Sequence, residues 1–148
     1  MIDKINYRPT THKEYSFGYF AVKESYKENI EKTWGWNTKF QKEYYRKNFH
    51  TKNSYIIELD GIKIGLLNYV ETIDNIEISA IYILPKYQNK GIGTIILTKI
   101  INIGKNKNIP INLQVLKTNT KAKELYYRVG FKEYEQTDTH IKMKIEWK

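Results

Sequence analysis

The chain has no cysteine. That excludes disulfides, cysteine-ligated zinc and a cysteine nucleophile, and it fits a reducing compartment. Histidine is nearly as scarce: His12, His50 and His140 are scattered, with no metal-ligand spacing. Residues 1–10 carry no apolar run of the secretory type, and the longest apolar stretch, near Ile95, is too short and interrupted to span a bilayer. No low-complexity linker or internal repeat divides the 148 residues. One domain over residues 1–148 is therefore expected, large enough for a real core, soluble and cytoplasmic. Acidic residues are also in short supply, 16 Asp and Glu against 25 Lys and Arg, for a net charge of +9. This charge reads either as the mark of a polyanionic partner or as a compositional bias toward Lys, Asn, Ile and Tyr. Either way it would assist capture of a phosphate-rich ligand.

What is present argues for a folded chain: 41% hydrophobic and 14% aromatic residues. Residues 4–8 read as a strand. Tyr15, Tyr19, Val22, Tyr26 and Ile30 recur at three- and four-residue steps and predict a helix over 12–32. Gly35 interrupts, and Asn37 offers an N-cap for a second helix through Phe40, Tyr44 and Tyr45. Asp60-Gly61 between the β-branched runs 54–59 and 62–70 is a hairpin signal. A strand over 76–84, a helix over 91–105 and a strand over 111–116 follow. Asn119 caps a helix whose apolar face is Ala122, Leu125, Tyr126 and Val129, with Gly130 at its C-terminal end. Two strands, 131–134 and 140–147, close the chain. Hairpins mixed with crossover helices predict an α+β domain with a mixed sheet.

Residues 77–93, EISAIYILPKYQNKGIG, carry the strongest chemical signal. An apolar strand passes through a proline-bearing turn into Gly91-Ile92-Gly93 and then an apolar helix. Glycines let backbone N–H groups face a ligand, and the helix N-terminus adds its positive dipole end, so the segment reads as an anion cradle. It lacks the Lys-[Ser/Thr] ending of a P-loop and the three-glycine spacing of a dinucleotide fingerprint, which weakens both nucleotide hydrolysis and dinucleotide redox chemistry.

A second motif lies one strand downstream: Asn-x-x-Ala-x-x-Leu-Tyr-x-x-x-Gly-Phe over residues 119–131. Together with Gln-x-x-Gly-x-Gly over 88–93, it resembles the GNAT superfamily of acetyl-CoA-dependent N-acetyltransferases. The segment Thr33-Trp34-Gly35-Trp36 is similar to one bacterial subset of that superfamily whose acceptors are mostly unassigned. The resemblance implies a mixed, mostly antiparallel sheet of about seven strands flanked by about four helices. It implies that backbone groups of Tyr82 and Ile83 pair with the pantetheine arm. It further implies that N–H groups of Gln88, Asn89, Lys90, Gly91, Ile92, Gly93 and Thr94 hold the pyrophosphate, and that Asn119 touches the cofactor arm. Tyr126 would act as the acid that protonates the leaving thiolate, and Glu77 as the base. No metal is implied.

The residues support the same chemistry. A phenol, with an ordinary pKa near ~10, can hydrogen-bond or protonate a departing thiolate. A backbone N–H near Ile83 is the natural donor to an oxyanion. With no cysteine, direct attack in a ternary complex is favoured over an acyl-enzyme. Strict alternation places Glu77 on one face with Ser79, Ile81 and Ile83. Each assignment has a plainer alternative. Tyr126 is otherwise a core-edge residue, Glu77 a solvated carboxylate and Asn119 only a helix cap. Trp34 and Trp36 either line the acceptor cleft or pack inside, and His140 either faces that cleft or is surface. Tyr127 reads as structural, and the basic runs 42–52 and 117–123 as solvated faces. The competing functions are a non-catalytic CoA-binding module and a basic nucleic-acid-binding protein. The partner expected is a small-molecule or protein amine, with no membrane; a homodimer stays open.

Overall fold

A computed structural model describes residues 4–147. The chain runs β1 (Ile5–Pro9), α1 (Tyr15–Trp34), α2 (Thr38–Asn48), β2 (Ser54–Leu59), β3 (Ile62–Glu71), β4 (Ile76–Ile83), α3 (Ile92–Lys107), β5 (Ile111–Leu116), α4 (Thr120–Val129), β6 (Lys132–Gln136) and β7 (His140–Ile145). The seven strands form one sheet in the order β1-β2-β3-β4-β5-β7-β6. Every adjacent pair is antiparallel except β4 with β5. The expected order of elements holds throughout, with end shifts of a few residues.

Local chemistry sets the boundaries. Asp60 and Gly61 both take positive φ, 53° and 78°, as a two-residue turn matched to strand twist requires. The Asn37 side chain accepts from the Phe40 N–H at 2.8 Å, and Asn119 accepts from the Ala122 N–H at 3.2 Å. Such caps are each worth about 1 kcal/mol. The first predicted helix divides: His12–Glu14 is a 3₁₀ turn closed by a capping box between Thr11 and Glu14, and α1 starts after it.

The sheet packs on both faces. The main core lies on the side of α3 and α4, around Ile76, Ile96, Leu97, Ile100, Leu113, Phe131 and Met143. On the other face a smaller cluster joins Ala21 of α1 to Ile56 and Leu66, with Tyr82 and Leu84 against it. Glycine at position 18 lets the α2 residue Tyr45 lie directly on α1, since a Cβ there would meet the Tyr45 hydroxyl at 1.9 Å.

Glu14 is only 4% exposed yet charged. Arg8 donates to both its oxygens, Lys63 Nζ lies 3.2 Å away, and the Thr11 N–H donates at 2.9 Å. Arg8 Nε also donates to Glu58 at 2.9 Å. The Arg8 hydrogen bonds are the main reason the Glu14 carboxyl falls from 4.5 to about 2. A lowered carboxyl stabilises the fold above its ordinary pKa and loses that contribution as pH falls from 4.5 toward about 2. Glu14→Gln should cost about 2 kcal/mol at neutral pH, less than a fully buried pair because Arg8 is partly solvated. In urea unfolding, the gap to the unaltered chain should narrow as pH approaches 2; equal stability at pH 7 would show the network idle.

Candidate active site

The parallel pair β4–β5 holds only at its start, through Ile76↔Ile111, Glu77↔Asn112 and Ile78↔Leu113. Both strands then continue without each other, to Ile83 and Leu116. The parting begins at a bulge. Tyr69 pairs with Ile78 and Asn68 with Ala80, which leaves Ser79 as an extra residue on β4. A bulge bends its strand and resets which side chains share a face.

The reset corrects the position of Glu77. Ile76 and Ile78 enter the main core, and beyond the bulge it is Ile81 and Ile83 that pack against the same core. Glu77 therefore shares its face with Ala80 and Tyr82, on the α1 side, and not with Ile81 and Ile83 as strict alternation predicts. Glu77 is half-buried, and desolvation raises its pKa while the charge of Lys142 works against that rise.

The parted strands leave a notch lined by Tyr26, Ser79, Ala80, Ile81, Tyr82, Gln114, Asn119 and Tyr126. Its volume is about 40 Å³, room for about three waters. The backbone along β4 sorts by direction. Leu84 donates to Ile64, and a Cβ on Gly65 would strike the Tyr82 carbonyl at 2.2 Å, so Tyr82 and Leu84 spend their backbone groups on β3. By the alternation of an antiparallel ladder, Ile81 and Ile83 present theirs to the open edge. Of the two residues expected to offer backbone groups to the arm, Tyr82 lines the notch with its backbone turned to β3, and Ile83 lies just past the lining with its backbone on the open-edge side.

Tyr126, 8% exposed, reaches this notch from α4 with its ring edge against Phe131 at 5.8 Å. Burial, with Tyr82 nearby, pushes its phenol up to about 12, so it stays protonated at neutral pH. Tyr26 enters from α1, its ring 5.3 Å from that of Tyr82. Its helical spacing marks it only as a packing residue, so pattern reading does not place it here. Asn119 also lines the notch while capping α4. Tyr127, by contrast, is exposed and donates to Glu133 at 3.0 Å.

At the end of β4 the chain turns through Pro85–Tyr87, and the Gln88 side-chain amide donates to the Ile83 carbonyl at 2.8 Å. Gly91 takes φ 80° at the N-cap of α3. That left-handed conformation suits glycine and turns the chain into the helix. Asn89 is also left-handed, at φ 61°. The first intrahelical bond runs from the Ile95 N–H to the Gly91 carbonyl. The N–H groups of Ile92, Gly93 and Thr94 therefore have no intrahelical partner. The first turn of α3 holds no acidic side chain, so nothing there opposes an anion. Gly93 has a packing role too: a Cβ there would sit 3.0 Å from Leu125 of α4.

Trp34 and Trp36 lie outside the notch. Trp34 is 60% exposed, with its ring 6.2 Å from that of His140. Trp36 is half-buried; its N–H donates to Thr38 at 3.1 Å and Lys27 Nζ lies over its ring at 5.5 Å. Neither is a core residue. His140 accompanies Trp34, and desolvation lowers its pKa. Among the described residues no group of His, Asp and Glu could hold a metal ion, and no helix is long and apolar enough to cross a membrane.

A mixed sheet split at its one parallel pair, with an anion-ready helix start beside the split, offers an extended ligand a strand edge and its anionic end a set of free N–H groups. The family model for "Acetyltransferase (GNAT) family" matches residues 8–131, and the chain belongs to that family. The Thermoplasma acidophilum PaiA N-acetyltransferase, solved with coenzyme A, aligns at a TM-score of 0.80 with 19% identity, over 97% of this chain and 99% of its own. The Vibrio cholerae spermidine N-acetyltransferase, solved with CoA and spermine, aligns at 0.68 with 21% identity, over 97% and 96%. At these identities the likeness is one of fold. Mouse thialysine N-epsilon-acetyltransferase is 32% identical over 73 residues, 49% of this chain and 43% of that protein, so the match spans less than half the relative's length.

Proposed function

We propose that this protein moves an acetyl group from acetyl-CoA to a primary amine by direct attack in a ternary complex, as one cytoplasmic domain over residues 1–148. One observation carries the reading: the open edge of β4 and the Tyr126 phenol line the same narrow notch. Acetyl-CoA, when bound, supplies an activated acetyl thioester. Ile81 would hydrogen-bond the pantetheine arm through its backbone and Ile83 through its N–H, its carbonyl being held by Gln88, as an added strand does. The N–H groups over Gln88, Asn89, Lys90, Gly91, Ile92, Gly93 and Thr94 would hold the pyrophosphate, and Asn119 would meet the arm through its side-chain amide. Tyr126 keeps a proton for the departing sulfur. Glu77, across the sheet on the α1 side, takes the proton that the attacking ammonium must lose. The Thr33–Trp36 segment supports placing the chain in the bacterial subset it resembles.

The first test is binding followed by turnover. Purified protein should show a thermal shift and a calorimetric signal with CoA, and should release free thiol from acetyl-CoA when amines are added. No response to CoA would overturn the reading. Binding without thiol release across amine classes would make the protein a CoA-binding module.

A further inference from the structure

Two tyrosines from opposite faces of the sheet meet in the notch. Tyr126 belongs to the core on the α3 and α4 side and Tyr26 to α1 on the other side, yet both line the same space. The parting of β4 and β5 allows this, because an unbroken sheet would keep them apart. α1 is fixed on both sides of that parting. On the β4 side the rings of Tyr26 and Tyr82 meet edge to face at 5.3 Å. Two turns later on the same helix face, the Thr33 hydroxyl pairs at 3.1 Å with that of Thr118, just ahead of α4. Neither the Tyr26 nor the Tyr126 hydroxyl bonds another described residue, and neither is sealed off as those of Tyr19 and Tyr45 are. Each keeps a proton to donate. Burial, then the nearness of Tyr126, pushes the Tyr26 phenol up, so it is a donor and not a base at neutral pH. Acetyl transfer develops negative charge on the donor's sulfur and on its carbonyl oxygen. Tyr126 serves the sulfur; the oxygen still lacks a donor, since the open-edge groups of Ile81 and Ile83 go to the arm. Of the other notch residues with a side-chain donor, Asn119 also goes to the arm, Ser79 and Gln114 are exposed, and Tyr82 packs into the α1 cluster. Tyr26 is the shielded donor that remains, and a donor out of water counts for more.

We propose that Tyr26 is a second catalytic phenol, whose O–H donates to the acetyl carbonyl oxygen while Tyr126 serves the sulfur. This rests on the acetyl-transfer reading and adds a residue to it. The amine, its proton shed to Glu77, forms the C–N bond with its lone pair, and the carbonyl π pair moves onto oxygen. Tyr26 steadies that oxygen without giving up its proton. When the pair returns, the C–S bond breaks, its electrons leave on sulfur and Tyr126 supplies the proton. The test is Tyr26→Phe in the full chain, which keeps the ring and its contact with Tyr82. Thiol release from acetyl-CoA is followed in water alone and with 2-phenylethylamine, spermidine or a lysine peptide. The oxygen gains charge whether water or an amine attacks, so both rates should fall about 100-fold, the scale of one lost oxyanion donor. The KM for acetyl-CoA and the thermal midpoint should hold. A second readout needs no turnover. A methyl ketone analogue of acetyl-CoA, with methylene in place of sulfur, should show its carbonyl infrared band at lower frequency on the unaltered protein than on Tyr26→Phe. Unmoved rates, an unmoved band or a lowered thermal midpoint overturns the inference and leaves acetyl transfer standing. So does a loss confined to the amine reactions, which would assign Tyr26 to the acceptor. No thiol release by the unaltered chain, with the ketone bound, overturns both.

Discussion

Tyr126→Phe is expected to lower kcat by about 100-fold or more, the scale of a lost general acid, with CoA affinity unchanged within about twofold, because the substitution removes one oxygen and keeps the ring. The ring's packing on Phe131 survives. The protein should therefore be no less stable in thermal unfolding, which separates a chemical role from a structural one. The pH dependence adds a second signature. Burial holds the phenol up to about 12, so Tyr126 remains an acid across the range in which the protein can be assayed. No basic limb from this residue should appear between roughly pH 7 and 10. The adjacent Tyr127 is the control: it is exposed and bound to Glu133, and Tyr127→Phe should leave turnover alone. Full kcat in Tyr126→Phe would remove Tyr126 from the acid role.

The parts of this molecule that were legible in its sequence are the parts fixed by short-range chemistry. Asp60-Gly61, Asn37 and Asn119 act within a few residues of themselves, and the elements they bound, β2 and α4 among them, fall where pattern and cap place them. Thr11 and Glu14 also carry a readable capping-box spacing, which would have separated the 3₁₀ turn from α1. The site is legible only in part, because its geometry depends on a departure from pattern. In IEISAIYI the isoleucines keep one phase at Ile76 and Ile78 and the other at Ile81 and Ile83; this slip across Ser79-Ala80 marks the bulge, and strict alternation reads straight through it. A bulge is decided by the partner strands, and it moved Glu77 to the other face. It also left the backbone of Tyr82 on β3 while Ile81 and Ile83 took the open edge. Tyr26 illustrates a second blind spot. A tyrosine at helical spacing reads as core, and only the crossing of α1 over the end of β4 brings it beside Tyr126.

The relocated Glu77 gives the sharpest separation between stability and activity. Its pKa is raised, chiefly by desolvation. A raised carboxyl contributes its stability below its ordinary pKa and loses it as pH climbs through the raised value, so at neutral pH the charged Glu77 costs the fold something. Glu77→Gln should therefore unfold at the same temperature as the unaltered chain or slightly above it. Turnover should move the other way, falling about 100-fold near pH 7 if the carboxylate receives the ammonium proton. With Glu77 present, the rate should rise with pH through its raised carboxyl pKa and then level. With Gln, only acceptor already deprotonated in solution can react, and the rate should climb about tenfold per pH unit toward the amine's own pKa. Added small carboxylates or imidazole should restore part of the loss if the missing group is a base. An unchanged pH profile would assign the proton to another acceptor. Lower stability together with lower turnover would make Glu77 a structural carboxylate.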